Sequence, residues 1–160
     1  MKKLFSLVLA IVLSLSFASP GFADDTDTIS NWNIRISVPE GKTGVLKGSE
    51  YYIYGQHEGS IPYVMLRVYR YDNAEKFITD FTQYMQQQYS DLRVTSSAEQ
   101  KTIGNKRCYE IDYGYTVSGY EVKDRRVIIT ADETTYMFAS KEIESKGMIV
   151  GSMLDDVVAD

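Results

Sequence analysis

Glu110 and Asp112 are the residues whose spacing most invites acid–base chemistry. They stand two positions apart, so on a strand both project from one face. Two carboxyls on one face are the equipment of glycosidase-type catalysis. With Gly104-Asn105 as a two-residue turn, Glu110 falls directly opposite Glu99. Like charges across a ladder destabilise it, unless the two carboxyls share a proton and one pKa rises. The next pair along, Asp112 and Arg125, reads as an ordinary cross-strand ion pair.

The other reactive side chains are isolated. His57, beside Glu58, is the sole histidine, and no second histidine or paired cysteine stands at metal-ligand spacing. The pair reads as a polar loop, with acid–base use of His57/Glu58 as the sharper alternative. Cys108 is the sole cysteine, so no intrachain disulfide forms. It shares a strand face with Glu110 and Asp112, whose charges raise a thiol pKa and oppose nucleophilic use. No nucleophile elbow or glycine-rich phosphate loop is present. The expectation is no catalytic residue, no metal and no cofactor.

Thirteen tyrosines remain. Tyr109, Tyr113 and Tyr115 share one parity, and Tyr51, Tyr52 and Tyr54 precede His57. One reading makes them sheet core. The other makes an aromatic surface for a protein, peptide or glycan, with Tyr51, Tyr54, His57, Tyr113 and Tyr120 as contacts. Alternation alone does not say which parity faces a helix.

The elements that must position these side chains begin after residue 23. Lys2 and Lys3, an apolar run over residues 4–17 and the small residues Gly21 and Ala23 form the pattern of a secretory signal peptide over residues 1–23. The run is shorter than the roughly 20 apolar residues of a bilayer span. No cysteine follows the cleavage point, so no lipidated N-terminus is expected. The mature chain is then secreted, extracytoplasmic and not membrane-bound. Cleavage takes the formal charge from -5 to about −7, which disfavours nucleic acid and anionic lipid as partners. Residues 24–29 read as a disordered lead-in, and residues 30–160 as a single domain.

Trp32, Ile34, Ile36 and Val38 alternate up to Pro39 and Gly41, predicting a strand and a turn. Residues 51–56 and 63–71 predict two more strands. The second is apolar on both parities and so belongs at the centre of its sheet. A helix follows to about residue 89, with Asp72 as cap and Glu75 as capping-box partner. Its stripe of Phe77, Ile78, Phe81, Tyr84 and Met85 packs on a sheet face. Residues 97–103 predict the strand that leads into Gly104-Asn105. Turns at Ser118-Gly119 and Asp132-Glu133 then set a meander whose registers bring Thr116 to Glu121, Tyr115 to Val122, Asp124 to Lys141 and Val127 to Phe138. Residues 149–160 return to helical spacing.

The order βββαββββα predicts an α+β fold: an antiparallel sheet of about six to seven strands with helices packed on its faces. The opening Trp32-x-Ile34-x-Ile36-x-Val38-Pro39-x-Gly41 resembles that of Mog1/PsbP-like domains, and the meander and closing helix are similar to theirs. The resemblance implies a central antiparallel sheet with flanking helices. It also implies membership of a group whose members mostly act as binding or accessory proteins rather than enzymes. The photosystem and GTPase-binding roles of some members find no matching functional residue here. Three functions are therefore in play: a secreted binding or accessory protein of unknown ligand, a small secreted hydrolase using Glu99/Glu110 or His57/Glu58, and a structural module interacting through its tyrosines.

Overall fold

The computed structural model describes residues 25–29, 34–54, 64–146 and 153–159. The proposed signal peptide, the 55–62 loop and the start of the closing helix lie outside the described residues. Among the described residues, nine strands form two sheets. β1 (Asp25–Ile29) pairs with β2 (Ile34–Val38) as a two-stranded ribbon. The other seven form one antiparallel sheet in the order β3-β4-β5-β9-β8-β7-β6. These are β3 (Thr43–Lys47), β4 (Glu50–Tyr54), β5 (Val64–Tyr69), β6 (Arg93–Ile103), β7 (Lys106–Val117), β8 (Tyr120–Ala131) and β9 (Thr134–Glu142).

Three expectations need correction. Residues 25–29 of the supposed disordered lead-in are strand β1: Asp25 pairs with Val38 and Ile29 with Ile34. Polar composition argued against burial, but a ribbon needs only a partner for its backbone groups, and Thr26, Thr28 and Ile29 are β-branched. β3 was not predicted, because Thr43 and Gly44 give no alternation. Its register comes from a turn at Gly48-Ser49, where Gly48 takes φ 63°, and from β4, with Leu46 opposite Tyr51 and Val45 opposite Tyr52. The order is thus five strands before the long helix rather than three. β6 begins at Arg93, four residues earlier than predicted, since an exposed edge strand carries no apolar period. Its pairing with β7 shifts between Val94 and Ser96 and between Ser96 and Glu99.

The meander follows the predicted registers. Asp112 lies opposite Arg125, Tyr115 opposite Val122, Asp124 opposite Lys141 and Val127 opposite Phe138. At the β7–β8 turn Ser118 and Gly119 both take positive φ (51° and 81°), as a type I′ hairpin requires. β5 sits between β4 and β9, the central place its two-sided apolar pattern called for.

Helix α1 (Ala74–Gln88) is capped one residue later than expected, by Asn73, whose Oδ1 accepts from the Lys76 amide at 2.8 Å. Asn73 is extended (φ −132°, ψ 110°), the conformation a capping side chain needs. Phe77, Ile78 and Met85 of α1 form a core cluster with Ile111, Tyr113, Tyr115, Val122, Ile128 and Met137. A second cluster joins Leu154, Val157 and Val158 of helix α2 (Met153–Ala159) to Ile36 and Val38 of β2. From the sheet it takes Tyr51, Ile53, Val64, Leu66, Cys108, Val127 and Phe138. Val127 and Ile128 are consecutive on β8 and fall in different clusters, so the clusters occupy opposite faces of the sheet. Each fully buried apolar side chain contributes about 1.5–3 kcal/mol. α2 is only seven residues long and delivers three of them, so packing rather than helix propensity holds it.

Candidate functional site

β7 and β8 place a row of polar groups on the face shared with α2. Cys108, Glu110, Asp112 and Gly114 follow one parity of β7. On β8, Arg125 and Lys123 stand opposite Asp112 and Gly114, and Glu121 continues that row opposite Thr116. Beyond the apolar cover of α2, Asp112, Gly114, Glu121, Lys123 and Arg125 border a cleft of about 280 Å³, which Arg93 and Thr95 close on the β6 side and Ser140 and Glu142 on the β9 side.

Arg125 is the hub of the cleft. Its guanidinium donates to Glu110 Oε2 and, through Nη2 and Nη1, to Asp155 of α2 at 2.8 and 3.3 Å. Lys101 on β6 donates to Glu110 Oε1 at 2.7 Å. Glu110 is 7% exposed. Burial pushes its carboxyl pKa up, but the bonds from Arg125 and Lys101 outweigh burial and hold it below the usual carboxylate range. These contacts also tie α2 to the sheet through a charge network.

Asp112 is left out. It stands opposite Arg125 in the ladder, yet its Oδ1 is buried with no hydrogen-bond partner among the described residues. Burial and then the charge of Glu110 raise its pKa, and Arg125 and Lys101 only partly offset them. The remaining cations of the cleft are engaged: Arg93 Nη2 donates to Glu121 Oε1 at 2.8 Å, and Lys123 donates to Glu144. Gly114 forms part of the floor. A Cβ there would lie 3.3 Å from Thr95 Cγ2 and 3.5 Å from Arg93 Nη2, so its absence makes room for the Arg93 arm.

On the opposite face, under α1, Arg126 binds Asp124 bidentately at 2.6 and 2.7 Å, and the Tyr115 hydroxyl donates to Asp124 at 2.7 Å. Arg126 also lies over the Phe81 ring, 5.1 Å from its centroid. Asp124 and Arg126 are 1% and 3% exposed, so this group is structural and has no access to a ligand.

The residues singled out from sequence are scattered by this geometry. Tyr51 (2% exposed) is packed on the α2 face, and Tyr113 (1%) lies on the α1 face, sharing a hydrogen bond with Thr82 at 2.7 Å. Tyr54 (6%) accepts from Lys47 Nζ at 3.3 Å. These three build the core and do not form a surface; the parity facing the helices could not be read from alternation. Tyr120, at the hairpin tip, is 40% exposed. His57 and Glu58 lie outside the described residues. Glu99 does stand opposite Glu110, but the expected like-charge conflict is relieved by Lys101 and Arg125. A proton-sharing pair would raise one pKa, whereas that of Glu110 is lowered. Burial and then Glu110 raise the Cys108 thiol pKa, as the shared strand face implied. Sequence reasoning missed Asp155, whose approach to Arg125 leaves no local signal.

Among the described residues no group of three or more His, Cys, Asp or Glu side chains is arranged to hold a metal ion. No helix among them is long and apolar enough to cross a membrane. No protein-family model and no curated protein matches the chain. Solved structures do. The cyanobacterial PsbP protein of Synechocystis is similar with a TM-score of 0.62 at 15% identity, over 89% of this chain and 94% of that one. LpqN of Mycobacterium tuberculosis, involved in cell envelope biogenesis, gives a TM-score of 0.51 at 12% identity, over 78% of each chain. A protein of Bacteroides thetaiotaomicron gives 0.52 at 11% identity; the match covers 78% of this chain but only 42% of that longer one. The fold is therefore the PsbP-like α+β fold, with a central antiparallel sheet, that the resemblance of the opening segment implied.

Proposed function

We propose that this chain is an extracytoplasmic, non-enzymatic binding or accessory protein, with α1 and α2 covering opposite faces of its sheet and its ligand held in the cleft over Asp112 and Gly114. The observation that carries this reading is the state of the charges there. Glu110 and Arg125 are engaged in largely buried ion pairs, and Arg93 and Lys123 in exposed pairs with Glu121 and Glu144. A general acid or base needs a proton poised near the working pH and within reach of a substrate. Glu110 is held ionised by two cations, so a hydrolase built on Glu99 and Glu110 loses its acid. The leader pattern of residues 1–23 supports export. The likeness to PsbP and to a mycobacterial protein of cell envelope biogenesis supports an accessory role.

The test has two parts. Expressed from its full sequence in a secreting bacterial host, the protein is expected outside the cytoplasm with Asp24 as its first residue. Uncleaved cytoplasmic protein would overturn the export half. The exported protein is then applied to arrays of peptides and glycans beside a Lys123→Trp variant that plugs the cleft. Retention lost in the variant supports the reading. Equal retention of both proteins, or hydrolysis of array members by the wild type, overturns it.

A further inference from the structure

We infer that the cleft recognises a primary alkylammonium group, with the Asp112 carboxylate as its partner. This rests on the cleft being the binding site and adds the chemical class of the ligand.

The sign of the ligand follows from which lining charges already have partners. Arg93 is bonded to Glu121, Lys123 to Glu144, and Arg125 to both Glu110 and Asp155. An anionic ligand would have to break one of these pairs while facing Asp112, Glu121 and Glu142. Asp124 also lines the cleft, but its carboxylate lies on the opposite face, taken by Arg126 and Tyr115. Asp112 Oδ1 is the one buried side-chain oxygen or nitrogen among the described residues with no hydrogen-bond partner. A buried acceptor without a donor is costly; Asp112 lines the cleft, and a donor bound there recovers that cost once the carboxylate turns Oδ1 toward it.

The geometry narrows the donor further. One carboxylate does not satisfy a hard metal ion, which needs about six oxygen ligands. An ammonium group carries three N–H donors and a full charge, and such charge-assisted bonds are about twice as strong as neutral ones. A cleft of about 280 Å³ lies at the small end of ligand sites, so it takes a head group on a slender stem. A lysine side chain, a chain N-terminus and a free diamine share that chemistry.

The experiment titrates cadaverine into the protein and follows backbone amides by NMR at pH near neutral. Parallel titrations use tetramethylammonium, which has the charge without N–H donors, glucose, and a lysine-containing tripeptide blocked at its N-terminus, with and without side-chain acetylation. Saturable shifts at Asp112, Gly114 and Arg125 are expected for cadaverine at about 1 mM, at least tenfold weaker in Asp112→Asn and absent with tetramethylammonium. The tripeptide separates sources: tighter binding than cadaverine, lost on acetylation, assigns the ammonium to a peptide lysine, and the reverse assigns it to a free amine. Cadaverine binding unchanged in Asp112→Asn, or no saturable shift with any amine, overturns the inference. Cleft shifts with glucose or the acetylated tripeptide alone overturn it too, while leaving the binding-protein reading standing.

Discussion

Arg125 stands directly opposite Asp112 in the β7–β8 ladder, yet its guanidinium bonds to Glu110 and Asp155. Two carboxylates on one strand face therefore have opposite fates. Glu110 is held ionised, and Asp112 is pushed toward its neutral form by burial and by Glu110. The face that loses its ion pair is the face that offers a cleft.

Replacing Asp112 should stabilise the free protein. Asp112→Asn removes a charge whose Oδ1 is buried without a partner, and a gain of about 1 kcal/mol in urea denaturation at neutral pH is expected, the low end of such penalties because the residue is half-buried. Because the folded-state pKa is raised, wild-type stability falls as pH climbs from the ordinary carboxylate value through the folded value. The advantage of Asp112→Asn should accordingly vanish in acid. A variant less stable than wild type at neutral pH would show that Asp112 has a donor after all. A residue whose removal strengthens the fold while weakening ligand binding marks a functional position.

Glu110 should behave with the opposite sign. Its folded pKa is lowered, so its contribution is present at neutral pH and lost as pH falls through that lowered value. Glu110→Gln should cost about 2 kcal/mol, below the usual figure for breaking a buried pair because Arg125 keeps Asp155. A double-mutant cycle with Arg125→Met measures the coupling, and a value near zero would refute the network.

Tyr113 should prove a core residue. Tyr113→Phe removes the hydrogen bond to Thr82 and should cost about 1 kcal/mol. Tyr113→Ala should cost about 3–5 kcal/mol by opening a cavity under α1. A fully stable Tyr113→Ala protein would restore this tyrosine to the surface.

Arg126→Met should be among the most damaging changes. It leaves Asp124, 1% exposed, with only the Tyr115 hydroxyl, and a loss of about 3–5 kcal/mol in thermal or urea unfolding is expected. A loss below 1 kcal/mol would mean that the pair is open to water.

The meander was legible because its turns are short and its cross-strand partners agree in charge and hydrophobicity: Asp124 meets Lys141, and Val127 meets Phe138. A one-residue slip would have put every one of these side chains on the wrong face. β1 and β3 were not legible, because Asp25–Ile29 and Thr43–Lys47 take their registers from partner strands rather than from any alternation of their own. The cleft was half legible. Register correctly placed Asp112 opposite Arg125 and Glu110 opposite Glu99. Which acid a long guanidinium reaches depends on Asp155, thirty residues further along the chain and on a helix packed from another layer. The tyrosines misled for a related reason. Tyr51 and Tyr113 sit on opposite faces of a sheet that buries both.

The most direct measurement of the central claim is the pKa of the Asp112 carboxyl, followed by carbon-detected NMR in the free and the cadaverine-saturated protein. The charged groups acting on Asp112 are Glu110 on β7, Lys101 and Arg93 on β6, Glu121, Lys123 and Arg125 on β8, Glu142 on β9 and, from the opposite face, Asp124. With their balance unchanged, Asp112 should titrate above the usual carboxylate value when free and drop below its free value once an ammonium occupies the cleft. An Asp112 pKa at the ordinary value, unmoved by the amine, would contradict both the unpaired carboxylate and the site built on it.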